Sequence, residues 1–185
     1  LLSSEQVINM QLLARNAGLT SAEIVPIVEG FRNIGVGTSS AISQISDMQK
    51  QARDYGINVG KFMKDIGSNI KMLSSYNFKD GVEGFSRMIA KAQALRMDVS
   101  TTFALSEKLM DPETAIETAA GFQMLGGAVG DLGDPFKLLH LAQTDTEGLQ
   151  DAIIGMAEGA AVFNEETGEF DIPVTEMYRL REAAK

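Results

Sequence analysis

The sequence has no cysteine, no tryptophan and a single histidine, and only 6% of its 185 residues are aromatic. The missing cysteine excludes disulfides, thiol nucleophiles and cysteine-ligated zinc. With His140 as the one imidazole, we expect no Cys-His, Ser-His-Asp or multi-histidine metal site within the chain. We predict that this histidine, at the end of a predicted helix, is structural or lies on the surface.

Long apolar runs and targeting signals are missing as well. No apolar run approaches the ~20 residues that span a bilayer, and no basic segment followed by an apolar one marks a signal peptide. The sequence begins at Leu1 instead of Met and ends at Lys185 within a helical pattern. We interpret it as a piece of a longer polypeptide.

The composition favours a folded helical chain. Hydrophobic residues make up 44% and charged residues 22% of the sequence, which is ordinary for a globular protein. A core of Leu, Ile, Val, Ala and Met suits helices better than a β-sandwich, and ten Met residues supply adaptable filler. We therefore predict an all-α fold, a compact domain of roughly eight to ten short helices.

Charge is unevenly distributed along the chain. Residues 1–49 hold 2 basic and 4 acidic side chains, residues 50–96 hold 9 and 4, and residues 97–185 hold 5 and 17. The acidic second half argues against nucleic acid as a partner. The basic middle fits an acidic partner, the other half of the same chain, or a solvated helix face. We predict a helical region over 1–98 and an acidic helical region over 99–185, with one continuous domain as the alternative.

One pattern recurs three times in the first half: a glycine, an aliphatic residue and then a capping residue. It occurs at Gly18-Leu19-Thr20, at Gly35-Val36-Gly37-Thr38 and at Gly56-Ile57-Asn58. Glycine in the left-handed conformation commonly ends a helix, and the following apolar residue folds back onto the helix end. The pattern predicts short links between packed helices. The helices themselves do not repeat in sequence, so we predict no solenoid.

Two segments of the first half leave alternatives open. Pro26 lies inside the helix that Thr20 and Glu23 begin as a capping box, and it predicts a kink or a later helix start. The apolar seam from Ala41 onwards keeps its heptad phase across Gly56, so a single helix over about 38–75 is possible. We favour two helices, because the link there has the recurring pattern.

The second half carries clear helix starts. We predict helices beginning at Ser100, after Asp111 and after Asp134, where Pro follows the capping Asp, and near Thr146. The glycines of 126–133 are predicted to form a flexible connector. Residues 161–172 are predicted to form a small β-hairpin around Thr167-Gly168, and a last helix runs from about Val174. The predicted apolar face of the helix after Asp111 consists of Ile116, Ala119, Ala120 and Met124.

Candidate chemistry in this half is weak. The glycine-rich stretch 126–133 lacks the ending of a phosphate-binding loop, and no strand precedes it. Neither Asp131 with Asp134 nor Asp145 with Glu147 has the ligand spacing of an EF-hand. A carboxylate pair for glycoside hydrolysis would have to come from the abundant acids of this region. Those acids are Glu147, Glu158, Glu165 and Glu166.

Several of these segments resemble the tape measure proteins of long-tailed bacteriophages. The likeness covers most of the chain and includes one upstream segment, 52–58. The segments that carry it are Asp111-Pro112-Glu113-Thr114-Ala115-Ile116-Glu117, Phe122-Gln123-Met124-Leu125-Gly126-Gly127, Asp134-Pro135-Phe136-Lys137-Leu138-Leu139, Glu147-Gly148-Leu149-Gln150, Phe163-Asn164-Glu165-Glu166-Thr167-Gly168-Glu169-Phe170, and Ala52-Arg53-Asp54-Tyr55-Gly56-Ile57-Asn58.

The resemblance implies a structural virion component and no enzyme, cofactor or metal. Tape measure proteins are long helical chains in the tail tube whose length sets tail length. They contact tube and tip or baseplate proteins, and they are released towards the host during genome ejection. The implied location is the tail lumen or tip, after synthesis in the host cytoplasm. The frequent glycine stops depart from an extended rod, so we expect a folded part near one end of such a protein.

We predict that the partner-contact surface lies in the basic middle, and that its partner is acidic or a neighbouring copy of the chain. Two alternatives stay open: a peptidoglycan-hydrolase-like module with a glutamate of raised pKa in a deep cleft, and a cytosolic helical adaptor with an exposed apolar groove. Contact with a membrane after ejection is neither indicated nor excluded. The predicted contact residues are Lys61, Lys64, Lys71 and Arg87.

Overall fold

The structure, a computed structural model, describes residues 3–125, 130–160, 162–164 and 169–171. It divides into two compact units, Leu1–Val99 and Ser100–Lys185. The division lies one residue from the boundary between 98 and 99 that the charge distribution suggests. The described residues are mostly helical, as the composition predicts.

The first unit contains five α-helices and one short 3-10 helix. Its core is built from aromatic and aliphatic side chains with no exposed surface, among them Phe31, Phe62 and Phe85. Burial on this scale stabilises by roughly 25 cal/mol for each Å² of apolar surface. The elements are α1 Ser4–Ala17, α2 Ser21–Asn33, α3 Thr38–Asp54, α4 Val59–Asn69, the 3-10 helix Ile70–Ser74, and α5 Gly81–Ala94.

The starts of α1 and α2 confirm the predicted capping residues. The Ser3 hydroxyl accepts a hydrogen bond from the Gln6 backbone N–H at 3.2 Å, while the Gln6 side chain accepts from the Ser3 N–H at 2.9 Å. At α2, Glu23 accepts from the Thr20 N–H at 2.8 Å. This helix begins at Ser21 and continues through Pro26, so a later start is wrong.

The start of α3 differs from the prediction. Thr38 is the first helical residue, and Gly37 holds the capping position with extended backbone. Glycine is accepted there because an N-cap needs non-helical backbone angles, with or without a side-chain acceptor.

The ends of four helices in the first unit close in the same way. The closing hydrogen bonds run from Leu19 N to Ala14 O at 2.8 Å, Val36 N to Phe31 O at 2.9 Å, Ile57 N to Ala52 O at 3.0 Å, and Met97 N to Ala92 O at 2.8 Å. Each is the backbone bond of a Schellman motif. The sequence pattern predicts the first three, after α1, α2 and α3. The fourth closes α5, where Arg96 stands in place of glycine.

The link after α3 separates two helices and excludes the single long one. Gly56 has a left-handed φ of 65°, and the Asn58 side chain accepts from the Lys61 backbone N–H at 2.8 Å. A continuous helix allows neither feature, because a left-handed residue ends the helical hydrogen bonding. The preferred alternative of two helices is confirmed.

The second unit continues with short helices. Its core includes Leu109, Ala115, Ala119, Leu138 and Leu149, with at most 1% of each residue exposed. The elements are α6 Val99–Leu109, α7 Pro112–Leu125, the 3-10 helix Gly130–Gly133, α8 Pro135–Thr144, α9 Thr146–Ala160, β1 Val162–Asn164 and β2 Glu169–Asp171.

Two Asp-Pro starts and the start at Thr146 are confirmed in this unit. Asp111 accepts from the Thr114 backbone N–H at 2.9 Å, and Asp134 accepts from the Phe136 N–H at 2.9 Å. α6 begins at Val99, one residue before the predicted Ser100. Each capping Asp accepts a hydrogen bond from a backbone N–H of the first turn, which has no acceptor within the helix.

The predicted apolar face of α7 is correct at Ala119, which is buried, and wrong at Ile116, Ala120 and Met124, which are exposed. Ile116 is 57% and Met124 is 88% exposed. The buried residues are Ala115, Ala119 and Phe122, which follow the spacing i, i+4, i+7 of one helix face. The small alanines pack inside because they allow neighbouring helices to approach closely, while the larger aliphatic side chains point outward.

The end of the chain is described in part. Gly130 and Gly133 belong to a 3-10 helix, so this half of the predicted connector is ordered, whereas 126–129 lie outside the described residues. β1 and β2 pair antiparallel, with Phe163 opposite Phe170. Residues 165–168, with the predicted turn, and 174–185, with the predicted last helix, also lie outside the described residues. The complete hairpin and the last helix stay predictions.

Candidate functional site

The four predicted contact residues lie on three different elements. Lys61 and Lys64 both lie on α4, Lys71 lies on the 3-10 helix that follows, and Arg87 lies on α5. The side chain of Lys64 binds Glu23 of α2 at 2.9 Å. That of Arg87 binds Asp80 and Glu83. Lys61 and Lys71 are exposed and form no ion pair with a described residue, so they are the two cations best placed for a partner.

Lys61 lines a cleft between α4 and the end of α5, which we call the α4–α5 cleft. Its volume is about 570 Å³. Lys61 and Arg96 provide positive charge, and Asp65 and Asp98 provide negative charge. The remaining lining residues are Asn69, Ile89, Ala92, Gln93, Met97 and Val99.

Two polar groups in this cleft differ from ordinary surface groups: the carboxyl of Asp65 in its pKa, and the side-chain oxygen of Gln93 in its hydrogen bonding. Partial burial raises the pKa of the Asp65 carboxyl, and the charge of Lys61 opposes that rise. The side-chain oxygen of Gln93 is buried and accepts no hydrogen bond from a described residue. A buried acceptor without a donor is uncommon, and it suggests a bound water or ligand group.

Arg96, which lines this cleft, has a strained backbone conformation. Its φ of 55° is the one positive value at a non-glycine residue among the described positions. For a residue with a side chain, the left-handed region carries a conformational penalty of roughly 1 kcal/mol. Strained residues concentrate at functional sites. The sequence analysis missed Arg96, although Arg96-Met97-Asp98 has the same order as Gly18-Leu19-Thr20.

A second cleft, the α3–α5 cleft, holds Arg87. Its volume is about 720 Å³. Arg87 bridges Asp80 and Glu83 at one side, and the Ser86 hydroxyl donates to the Gln51 side-chain oxygen. The side-chain oxygen of Gln44 is buried there without a donor among the described residues. Arg87 is already shared by two carboxylates, and the other cation that lines this cleft, Lys50, lies beside the acidic residues Asp47 and Asp54.

Lys64 stabilises the first unit through an ion pair with Glu23. Glu23 accepts hydrogen bonds from the Thr20 backbone and from Lys64, and these lower the pKa of Glu23 to about 2. The exposed pair joins α2 to α4 at 2.9 Å. Exposed pairs of this kind contribute little to stability, and less at high salt.

The carboxylates considered for calcium are engaged in local structure. Asp131 pairs with Lys137 and raises the pKa of that lysine. Asp134 caps α8, and Asp145 accepts from the Gly148 N–H at 3.1 Å. Over the described positions, no three His, Cys, Asp or Glu side chains cluster tightly enough to hold a metal ion.

The remaining candidates are spread over the second unit. His140 and Glu158 are exposed. Glu147 is buried in the first turn of α9, where a carboxylate is favoured by the helix dipole. Glu165 and Glu166 lie outside the described residues. The hydroxyls of Ser106 and Thr102 are buried, and Ser106 donates to the Ala142 carbonyl at 3.2 Å.

Comparison with protein-family models, with curated proteins and with solved structures gave no match. Within the part of the chain that the structure describes, no helix combines the length and the apolar character needed to cross a membrane.

Proposed function

We propose that the chain is a folded structural segment of a phage tail tape measure protein. It helps to set tail length, organises assembly of the tail tube and tip, and leaves the virion during genome ejection. The assignment to this class rests on the sequence resemblance. The proposal includes the hairpin over 161–172 and a non-enzymatic role.

The observation that carries the structural role is the repeated closure of helices in the first unit. Closing bonds of 2.8–3.0 Å end α1, α2, α3 and α5, and the links after the first three are short. Such links fix the direction of each helix relative to the next. A chain built in this way presents helix faces and ends to its neighbours, which suits an assembly component.

The proposed partner contact lies on Lys61 and Lys71, the exposed cations of the basic middle. The partner is an acidic surface of a tail tube or tip protein or of a neighbouring copy. Lys64 and Arg87 support the fold through their ion pairs. This division refines the predicted set of four into two contact residues and two structural ones.

Charge reversal in the phage that encodes the chain tests the proposal. We expect Lys61→Glu with Lys71→Glu to reduce the yield of complete tails, seen by electron microscopy, while the purified chain keeps its unfolding temperature. The matched control is Lys79→Glu with Lys50→Glu, two exposed cations outside the proposed contact. Normal tails with the contact variant, or equal defects with the control, would remove Lys61 and Lys71 as the contact.

The second candidate function is a helical adaptor. Exposed apolar side chains on α7 and α8 favour it, since Met124 is 88% and Phe136 is 81% exposed. Large exposed apolar side chains are frequent at binding surfaces. Under this alternative, Phe136→Ser abolishes capture of a host protein, and charge reversal at Lys61 and Lys71 has no effect on tails.

A further inference from the structure

α1 has apolar side chains on two opposite faces. Met10, Leu13, Ala14 and Ala17 are buried against the first unit. Ile8 and Leu12 lie on the other side and are 56% and 51% exposed. An ordinary surface helix has one apolar stripe and one polar face. A second apolar stripe on a helix of a folded unit is a candidate contact surface.

α1 is firmly attached to its own unit, so the outer stripe cannot turn inward. The Gln49 side chain of α3 donates to the Leu13 carbonyl of α1 at 2.8 Å and is itself buried. The Gln6 side chain donates to the Ser39 hydroxyl of α3 at 3.2 Å. These two hydrogen bonds fix the orientation of α1 about its own axis.

The outer stripe ends in two opposite charges. At 3.6 residues per turn, Glu5, Ile8, Leu12 and Arg15 fall within an arc of roughly 80°. Glu5 lies in the first turn and Arg15 in the last. Neither side chain forms an ion pair with another described residue. Along the helix, the stripe therefore consists of one acidic residue, two apolar residues and one basic residue, in that order.

This order is complementary to itself when two copies run antiparallel. A two-fold axis near position 10 places Ile8 of one copy on Leu12 of the other, and Glu5 of one on Arg15 of the other. Isologous contacts require this reciprocity. A parallel pair would place Glu5 on Glu5 and Arg15 on Arg15, and like charges repel. The charges therefore select the antiparallel arrangement.

We propose that the chain forms a symmetric dimer through antiparallel packing of α1 on α1 of a second copy, with Ile8 and Leu12 at its centre. One helix pair makes a small interface, so we expect association on the order of micromolar or weaker. The dimer is independent of the tail assignment. A monomeric chain would leave the virion measurements unchanged, and absence from virions would leave the dimer unchanged.

Sedimentation equilibrium of the whole chain over a range of concentrations tests the dimer. We expect Leu12→Glu to weaken association by about tenfold or more, because it removes an apolar centre and adds like charge. Leu95→Glu is the matched control, since Leu95 is 50% exposed but lies after α5. A wild-type chain that stays monomeric at all concentrations, or equal effects of both variants, overturns the proposal.

Charge swaps and cross-linking test the antiparallel order. At low salt, Glu5→Arg alone and Arg15→Glu alone weaken the dimer, and the double variant restores it. In oxidising buffer, a mixture of Ile8→Cys and Leu12→Cys chains forms mixed disulfide dimers faster than either variant alone, since the natural chain has no cysteine. Faster dimers with Ile8→Cys alone mean a parallel pair and contradict the proposed arrangement.

Discussion

Arg96 has a φ of 55° at a helix end whose counterparts are Gly18, Gly35 and Gly56. Its N–H donates to the Gln93 carbonyl at 3.2 Å, so the closure forms despite the side chain. Glycine adopts the left-handed region without a steric penalty. The arginine therefore lowers stability at this position and adds a cation to the α4–α5 cleft.

We predict that Arg96→Gly raises the free energy of unfolding by about 0.5–1 kcal/mol. The reciprocal change, Gly56→Arg, lowers it by about 1–2 kcal/mol, although a Cβ at Gly56 meets no atom within 4 Å. Urea unfolding followed by circular dichroism measures both. A loss of stability in Arg96→Gly would show that the arginine side chain contributes more than its backbone strain removes.

Glu23 makes the first unit sensitive to acid. Its pKa is lowered from 4.5 to about 2, first by the Thr20 N–H and then by Lys64. A lowered pKa means that the stabilising contribution is present above pH 4.5 and is lost as the pH falls towards 2. The folded state thus prefers the ionised carboxylate throughout that window.

We predict that Glu23→Gln flattens the fall of the unfolding temperature over this acid range. Lys64→Met retains most of the fall, because the Thr20 backbone donor is the larger cause and remains. Thermal unfolding at closely spaced pH values compares the two variants with the natural chain. An unchanged slope in Glu23→Gln would assign the acid sensitivity to other carboxylates.

At the scale of the element, α7 shows how a helix can bury its small residues. Ala119 is 1% exposed within the core of the second unit, whereas Ile116 is 57% exposed. We predict that Ala119→Leu destabilises by about 1–3 kcal/mol through overpacking. The paired variant Ile116→Ala stays within about 0.5 kcal/mol. A tolerated Ala119→Leu together with a destabilising Ile116→Ala in chemical denaturation would contradict this burial pattern.

Local signals predicted most helix boundaries. Capping boxes, Asp-Pro starts and glycine stops act within a few residues, so they are readable in one sequence. The face of α7 was predicted correctly only at Ala119, because alanines become buried only when a neighbouring helix approaches. The α5 closure was missed because Arg96 lacks the glycine that signals the other three.

The sequence predicts that the candidate site is basic, but it does not predict which of its cations are available to a partner. The basic middle is visible in the sequence, but tertiary pairing decides which of its cations remain available. Glu23 lies 41 positions from Lys64 in the chain, yet the two side chains meet at 2.9 Å. Likewise, the α4–α5 cleft joins Lys61 to Arg96, and no local pattern links them.

At the scale of the whole molecule, the two units differ in charge and in the surfaces that they offer. The first contains the basic segment, the helix closures and the outer stripe of α1. The second is strongly acidic and carries the exposed apolar residues of α7 and α8. Under the proposed structural role, the two units would offer different surfaces to different neighbours.

If the proposed tape measure role is right, a phage encodes the chain, and the most direct test is the protein content of its purified particles. Mass spectrometry before and after triggered ejection follows peptides of this segment against a tail tube protein as reference. We predict that the peptides are present in intact virions and lost from emptied particles, while the tube protein remains in both. Absence of the peptides from intact virions would contradict the tape measure assignment.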